Sequence, residues 1–315
     1  MDIGVFVAAE PHERGPAEDL QEFVDLAQAV EELGYKSLWT ASRHFSPGYA
    51  AIPSPLVVFA AVAERTSTLV FGPSVVTLPL ENPYRVAEDF AVLDALSGGR
   101  ARLGVGSGDD PPAFEAMGVP FDERAGLLSS QLPLLLEILQ GGDAGAGMTL
   151  YPAVADALDK VALGAQSARG AAWAASMGIG LLQGRSEPNS WDPTMSQGRA
   201  AEAYRAVHPG GRVVTARNAW VGNLQDPELL DGIRRYDEFM KSRGRPGMPE
   251  DTDEAIRKMN ISAGPADRLA RELAASVASI APDELVVTVD PGGLEASDRL
   301  KRLTALAEAF GLRRS

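Results

Sequence analysis

A (β/α)8 TIM barrel is the fold class this sequence predicts, and three observations predict it. Short runs rich in β-branched residues alternate with longer runs at helical spacing. The alternation repeats about eight times, and the 315 residues suffice for a closed ring of such units. The whole chain, 1–315, reads as one domain. Two excursions break its rhythm, at 142–159 after the fourth strand and at 245–276 before the eighth, and both are expected to build or cover the mouth of the barrel.

Each element has its own signal. "DIGVFVA" (2–8) reads as a buried strand. In the following "AEDLQEFVDLAQAVEELG", Leu20, Phe23, Val24, Ala27, Val30 and Leu33 recur at helical spacing before Gly34 stops the helix. "YKSLWTA" is the second strand, and Ser54-Pro55 opens the second helix. "STLVFGPSVVTL" is the third strand, followed by a helix begun by Asn82-Pro83. "RARLGVGSG" is the fourth, ending in glycines, and the helix in 121–142 carries Pro133 as a kink or start point. "KVALGAQ", "IGLLQG", "RVVTARNAWVG" and "DELVVTVD" supply the remaining strands. Helices at 167–178, 196–207, 226–244 and 294–311 follow them in turn.

Composition narrows the function. The net charge of -14 opposes binding to nucleic acid, which needs a basic footprint, and to anionic membranes. Absence of cysteine excludes disulfides, thiolate metal sites and cysteine nucleophiles. Three dispersed histidines speak against zinc. "MDIGVFVAAEPHERG" has no basic segment ahead of an apolar run, and no window suits a spanning helix, so a cytoplasmic enzyme is expected.

In a barrel of this kind the loops after the strands carry the chemistry. That face receives Glu10 and His12 after strand one, Arg43 and His44 after strand two, and Ser107 and Gly108 after strand four. Gln166, Ser167, Ala168 and Arg169 arrive after strand five, and Trp191 after strand six. "QSARGAAW" has the build of an anion site: a polar loop feeding a helix N-terminus, with Ser167 as hydroxyl donor and Arg169 as counter-charge. An ordinary serine cap beside a solvated arginine is the plainer alternative. His44 titrates near neutrality and suits proton transfer, or else packs under its loop. Arg43 cannot serve as a base; it can pair an anion or make a surface salt bridge. "GVGSGDD" lacks the third glycine of a dinucleotide fingerprint.

Residues 54–108 resemble the bacterial luciferase-like flavin monooxygenases, through "VAERT", "LPLENPYRVAED" and "LDALSGGRARLGVGSG" together. The resemblance implies a barrel, often dimeric, holding reduced FMN or its deazaflavin relative (coenzyme F-420) at the strands' C-terminal ends. It places a non-proline cis peptide under the flavin ring at Ser74-Val75. Ser107 falls where relatives often carry an FMN-phosphate arginine, and Ser167 falls in the phosphate loop with Gln166 beside it. "ASRHF" stands where relatives read "AEHHF", so His44 matches the second histidine and Arg43 replaces the first, a catalytic residue in the luciferases. By the resemblance, His44 and Arg43 are the catalytic pair and Glu10 and His12 contact substrate; Trp191, from its place after the sixth strand, is expected as a lid residue over an apolar substrate. The implied activity is oxygenation of a small organic substrate by reduced FMN and oxygen, with a separate flavin reductase. The alternatives are deazaflavin-dependent hydride transfer and a non-catalytic flavin-barrel subunit.

Overall fold

The computed structural model describes residues 1–8, 15–46, 52–185, 197–290 and 293–313. Its strands are β1 (Asp2–Val7), β2 (Ser37–Thr40), β3 (Val70–Pro73), β4 (Val76–Thr77), β5 (Leu103–Gly106), β6 (Val161–Gly164), β7 (Gly180–Gln183), β8 (Val213–Val221), β9 (Ile261–Gly264) and β10 (Glu284–Thr288). All pairings between them are parallel, in the order β3-β2-β1-β10-β8-β7-β6-β5-β4, with β9 off this path on β8. The two ends of that path, β3 and β4, are consecutive in the chain, so the sheet closes on itself. A bridge between Phe71 and Ala101 completes the seam, and Arg102 N donates to Phe71 O at 2.8 Å. The predicted third strand is thus β3 and β4 with a break between them. The cis peptide lies at Ser74-Val75, where the resemblance put it.

Alternation along each strand sorts side chains between two cores. Val5, Leu38, Leu181, Val213 and Leu285 face the surrounding helices, alongside Phe59, Phe71 and Phe90. Phe6, Trp39, Leu182, Val214 and Val286, one residue further on, fill the barrel interior. On β5 and β6 the inward positions are small. A Cβ on Gly104 would lie 2.7 Å from Leu182 Cδ1, and one on Gly106 would lie 2.6 Å from Val75 Cγ2.

The N-terminal end of the barrel is plugged. Glu284, fully buried, accepts from Trp39 Nε1 at 2.9 Å, from Arg212 Nη2 at 2.7 Å and from Ser37 Oγ. Residues 142–159, expected near the mouth, belong to this end as well. They lead into the helix Ala157–Lys160, where Lys160 Nζ donates to both Asp94 oxygens at 2.9 and 2.7 Å. The reason is topological: a helix-to-strand connection returns to the strands' N-terminal ends.

The second excursion departs earlier than predicted. β8 has nine residues, and β9 pairs with its Asn218–Val221 end. The helix Pro227–Ser242 does not pack as a barrel helix. Its Leu229 and Ile233 join Trp220, Ile256 and Met259 in a separate core, while Tyr236 and Phe239 pack against the barrel-interior cluster. It therefore lies across the mouth. The barrel position after β8 is taken by Ala266–Ser276, inside the stretch read as a connection; its Leu269 and Leu273 enter the main core.

Candidate active site at the barrel mouth

The loops after β2, β5 and β6 carry Arg43, Ser107 and Ser167, so parallel topology delivers all three to the C-terminal face. Glu10, His12 and Trp191 lie outside the described residues.

The β6 loop has the form expected of it. Ser167 sits at the N-cap with extended backbone, and its Oγ accepts from Gly170 N at 3.1 Å. That leaves the hydroxyl hydrogen, and the first N–H groups of the helix Ala168–Ser176, to donate outward. Arg169 is exposed in the first turn. Gln166 Oε1 is sealed from water with no hydrogen-bond partner among the described residues, while its amide nitrogen crowds Gly184 on the next loop, where a Cβ would lie 2.4 Å away. A buried unsatisfied amide oxygen is costly in a finished core and ordinary in a ligand site.

Val75, just past the cis peptide, spans the small residues of two strands: a Cβ on Gly164 would stand 3.0 Å from its Cγ1. This apolar shelf lies between Ser107 and the β6 loop. Gly108 has φ +76°, and a Cβ there would lie 2.4 Å from Thr77 Cγ2 and 3.0 Å from Phe114 Cε2. Local packing therefore requires that glycine whether or not a ligand approaches it.

On the β2 loop, successive side chains diverge. The Arg43 guanidinium lies 5.3 Å from the Phe239 ring centre; its Nη1 is 3.4 Å from Asp109 Oδ1, and its buried Nε has no partner among the described residues. His44 Nε2 is also buried with no hydrogen-bond partner among the described residues, 3.7 Å from Glu81 Oε1. Burial pushes the His44 pKa below its ordinary value, with nearby Asp110 pulling the other way. Burial, then Asp89, push that of Glu81 up. Both shifts disfavour the charged forms, so they weaken any ion pairing across this contact.

This gives a prediction. With its folded-state pKa depressed, His44 takes up a proton later than it would in the unfolded chain. Its contribution to stability is complete above about pH 6.5 and falls as pH drops toward the folded value. His44→Gln should therefore narrow the gap between urea midpoints measured near pH 7.5 and near pH 5.5. An unchanged gap would mean that His44 titrates normally.

Sequence reasoning missed the clamp above this loop. Arg243 Nε donates to Asp110 Oδ1 at 2.8 Å and its Nη2 reaches Oδ2; the same guanidinium approaches the carbonyls of His44 and Phe45 at 3.4 Å. Arg245 Nη1 donates to Asp109 Oδ2 at 2.6 Å. Desolvation alone would raise the Asp109 pKa, but Arg43 and Arg245 outweigh it and hold the carboxyl below its usual range. The tail of the mouth-crossing helix thus ties the β2 and β5 loops together. Only the "DD" after "GVGSG" and the arginines of "KSRGRPG" hinted at this, 133 residues apart for the Asp110–Arg243 pair. Arg185, after β7, places its guanidinium 4.9 Å from the Phe6 ring. Among the described residues no group of acids and histidines could hold a metal.

A parallel barrel with a capped helix N-terminus, an apolar shelf and a basic rim at its C-terminal face has the makings of a small-molecule site at that face. The luciferase-like monooxygenase family model matches residues 1–284, and the chain belongs to that family. Among curated relatives, 4-hydroxyprotoasukamycin monooxygenase of Streptomyces nodosus subsp. asukaensis is 34% identical over 145 residues, 45% of this chain and 38% of that protein. The F420-dependent glucose-6-phosphate dehydrogenase of Amycolatopsis mediterranei is 37% identical over 147 residues, 44% of this chain and 41% of that one. The match spans about two fifths of the first such relatives' length. The structure of apo-MsnO8 superposes with TM-score 0.76 at 25% identity, covering 99% of this chain and 98% of that one. The FMN-bound oxygenating constituent of 3,6-diketocamphane monooxygenase from Pseudomonas putida shares the fold, with TM-score 0.76 at 14% identity over 98% and 97%.

Proposed function

We propose that this protein is a flavin-dependent monooxygenase that uses reduced FMN and oxygen on a small organic substrate. The observation that carries the reading is Gln166 Oε1, unpartnered among the described residues, beside the Ser167-capped helix N-terminus: an anion-ready turn next to a buried acceptor. In this reading the Ser167 hydroxyl and the N–H groups of Ala168 and Arg169 hold the phosphate, and Arg169 neutralises it. Gln166 bonds the polar chain of the cofactor. Ser74 and Val75 support the ring, with Ser107 and Gly108 at its edge. Bound reduced FMN supplies two electrons to oxygen. The protein's own part is to exclude water beneath Tyr236 and Phe239, hold substrate and move a proton at His44 Nε2. Burial lowers the His44 pKa and so favours the neutral form, the one able to accept a proton.

Deazaflavin-dependent hydride transfer is the second reading. Ser107 favours it, since it stands where FMN-binding relatives often carry a phosphate arginine. A non-catalytic subunit is the third, on the strength of Arg43. A separate reductase supplies reduced flavin, and the enzyme works in the cytoplasm on the first reading. A homodimer would form through the helix Pro83–Leu96, where Tyr84, Val92 and Leu96 are 41, 48 and 54% exposed. Fluorescence titration with reduced FMN and with reduced deazaflavin separates the three. FMN binding followed by substrate-dependent oxygen uptake is expected; selective deazaflavin binding, or binding of neither, overturns the first reading.

A further inference from the structure

The rim cluster carries an imbalance. Arg43, Arg243 and Arg245 bring three guanidinium groups, while Asp109 and Asp110 bring two carboxylates. One positive charge is left over within the cluster, in a chain of net charge -14. The surplus lies at Arg43. Arg243 engages both oxygens of Asp110, and Arg245 holds Asp109 at 2.6 Å. Arg43 reaches the same Asp109 only at 3.4 Å, longer than the roughly 2.7–2.9 Å of a charge-assisted bond, and its buried Nε has no partner among the described residues. A guanidinium has five N–H donors, and burying them without acceptors is unfavourable.

Its surroundings define what would satisfy it. The Phe239 ring lies against the guanidinium and belongs to the apolar cluster with Trp39 and Phe6. The β2 loop stands three staves around the barrel from the β6 loop, by way of β3–β4 and β5. Arg43 is therefore not grouped with the phosphate turn.

We propose that Arg43 is the anion-binding group of the substrate pocket, and that the substrate is a small aromatic acid whose carboxylate pairs with Arg43 while its ring packs on Phe239. This rests on reading the mouth as a flavin oxidoreductase site. Asp109 is the resident carboxylate that a substrate carboxylate displaces from Arg43, with Arg245 retaining it.

The test compares benzoate with benzamide, which share a ring and differ in charge, by calorimetric titration of the purified protein with and without FMN. Benzoate is expected to bind about tenfold or more tighter. Arg43→Gln should bring the ratio close to one with an unchanged circular dichroism spectrum. Asp109→Asn, which removes the competing carboxylate, should strengthen benzoate binding several-fold and decides the matter if the arginine variant does not fold. Equal affinities in the wild type, or a preference that survives Arg43→Gln, overturns the proposal. Flavin affinity is read separately on the same preparations. Benzoate preference without flavin binding would sink the flavin reading and leave the anion assignment standing; flavin binding without benzoate preference would do the reverse.

Discussion

Ser167→Asp is expected to weaken FMN binding by about a hundredfold or more while leaving riboflavin binding almost unchanged, as read by flavin fluorescence. Aspartate is as good an N-cap as serine, so the helix Ala168–Ser176 should start at the same residue and the fold should survive. What changes is charge. A carboxylate about 4 Å from a phosphate costs on the order of 4 kcal/mol at the effective dielectric of a protein surface, and 1.4 kcal/mol is tenfold in affinity. Ser167→Ala, which removes one donor and adds no charge, should cost only about tenfold. Riboflavin has no phosphate and serves as the internal control. If Ser167→Asp binds FMN like the wild type, the phosphate lies elsewhere on the rim. Arg185, beside the Phe6 ring, would then be the first alternative to examine.

The barrel was legible because its staves obey a local rule. Val5, Val7, Leu38, Leu285 and Val287 face the helices, and the residues between them face inward, so short β-branched runs bounded by glycine mark each strand. The Ser167 cap was legible for a similar reason: a cap is a property of four consecutive residues. The mouth was not. Helix Pro227–Ser242 has Leu229, Ile233, Tyr236 and Met240 at helical spacing, and the pattern is the same whether that stripe packs on the barrel wall or over its opening. Nor does "ISAG" read as a strand; β9 forms because the long β8 extends past the ring and offers Asn218–Val221 as an edge to pair with. The Arg243–Asp110 and Arg245–Asp109 contacts follow from that placement, so no local signal contains them. His44 and Arg43 could be nominated by residue type, but their opposite directions, toward Glu81 and toward Phe239, come only from the folded loop.

Asp290 illustrates the same limit with the largest expected effect on stability. As the last residue of "DELVVTVD" it suits a polar rim, and more simply a turn-initiating aspartate. Its carboxylate instead accepts from Arg299 Nε at 3.0 Å and Nη2 at 2.7 Å, and the same guanidinium donates to Leu294 O at 3.0 Å and Glu22 Oε1 at 3.2 Å. Both members of the Asp290–Arg299 pair are 4% exposed. The contact fastens the loop after β10 to the helices Pro16–Glu32 and Ala296–Phe310, which flank the first and last staves. Arg299→Ala is expected to lower unfolding free energy by about 3–5 kcal/mol, because it strands a buried carboxylate without its counter-charge. A urea titration followed by circular dichroism reads this directly. Adding Asp290→Asn to an Arg299→Met background should restore much of the loss, since the stranded charge is gone and the methionine fills the volume. A loss near 1 kcal/mol for Arg299→Ala would place the pair among solvent-screened surface bridges. It would also mean that water reaches the seam between the first and last helices, which the packing of Arg299 against Asp290 argues against.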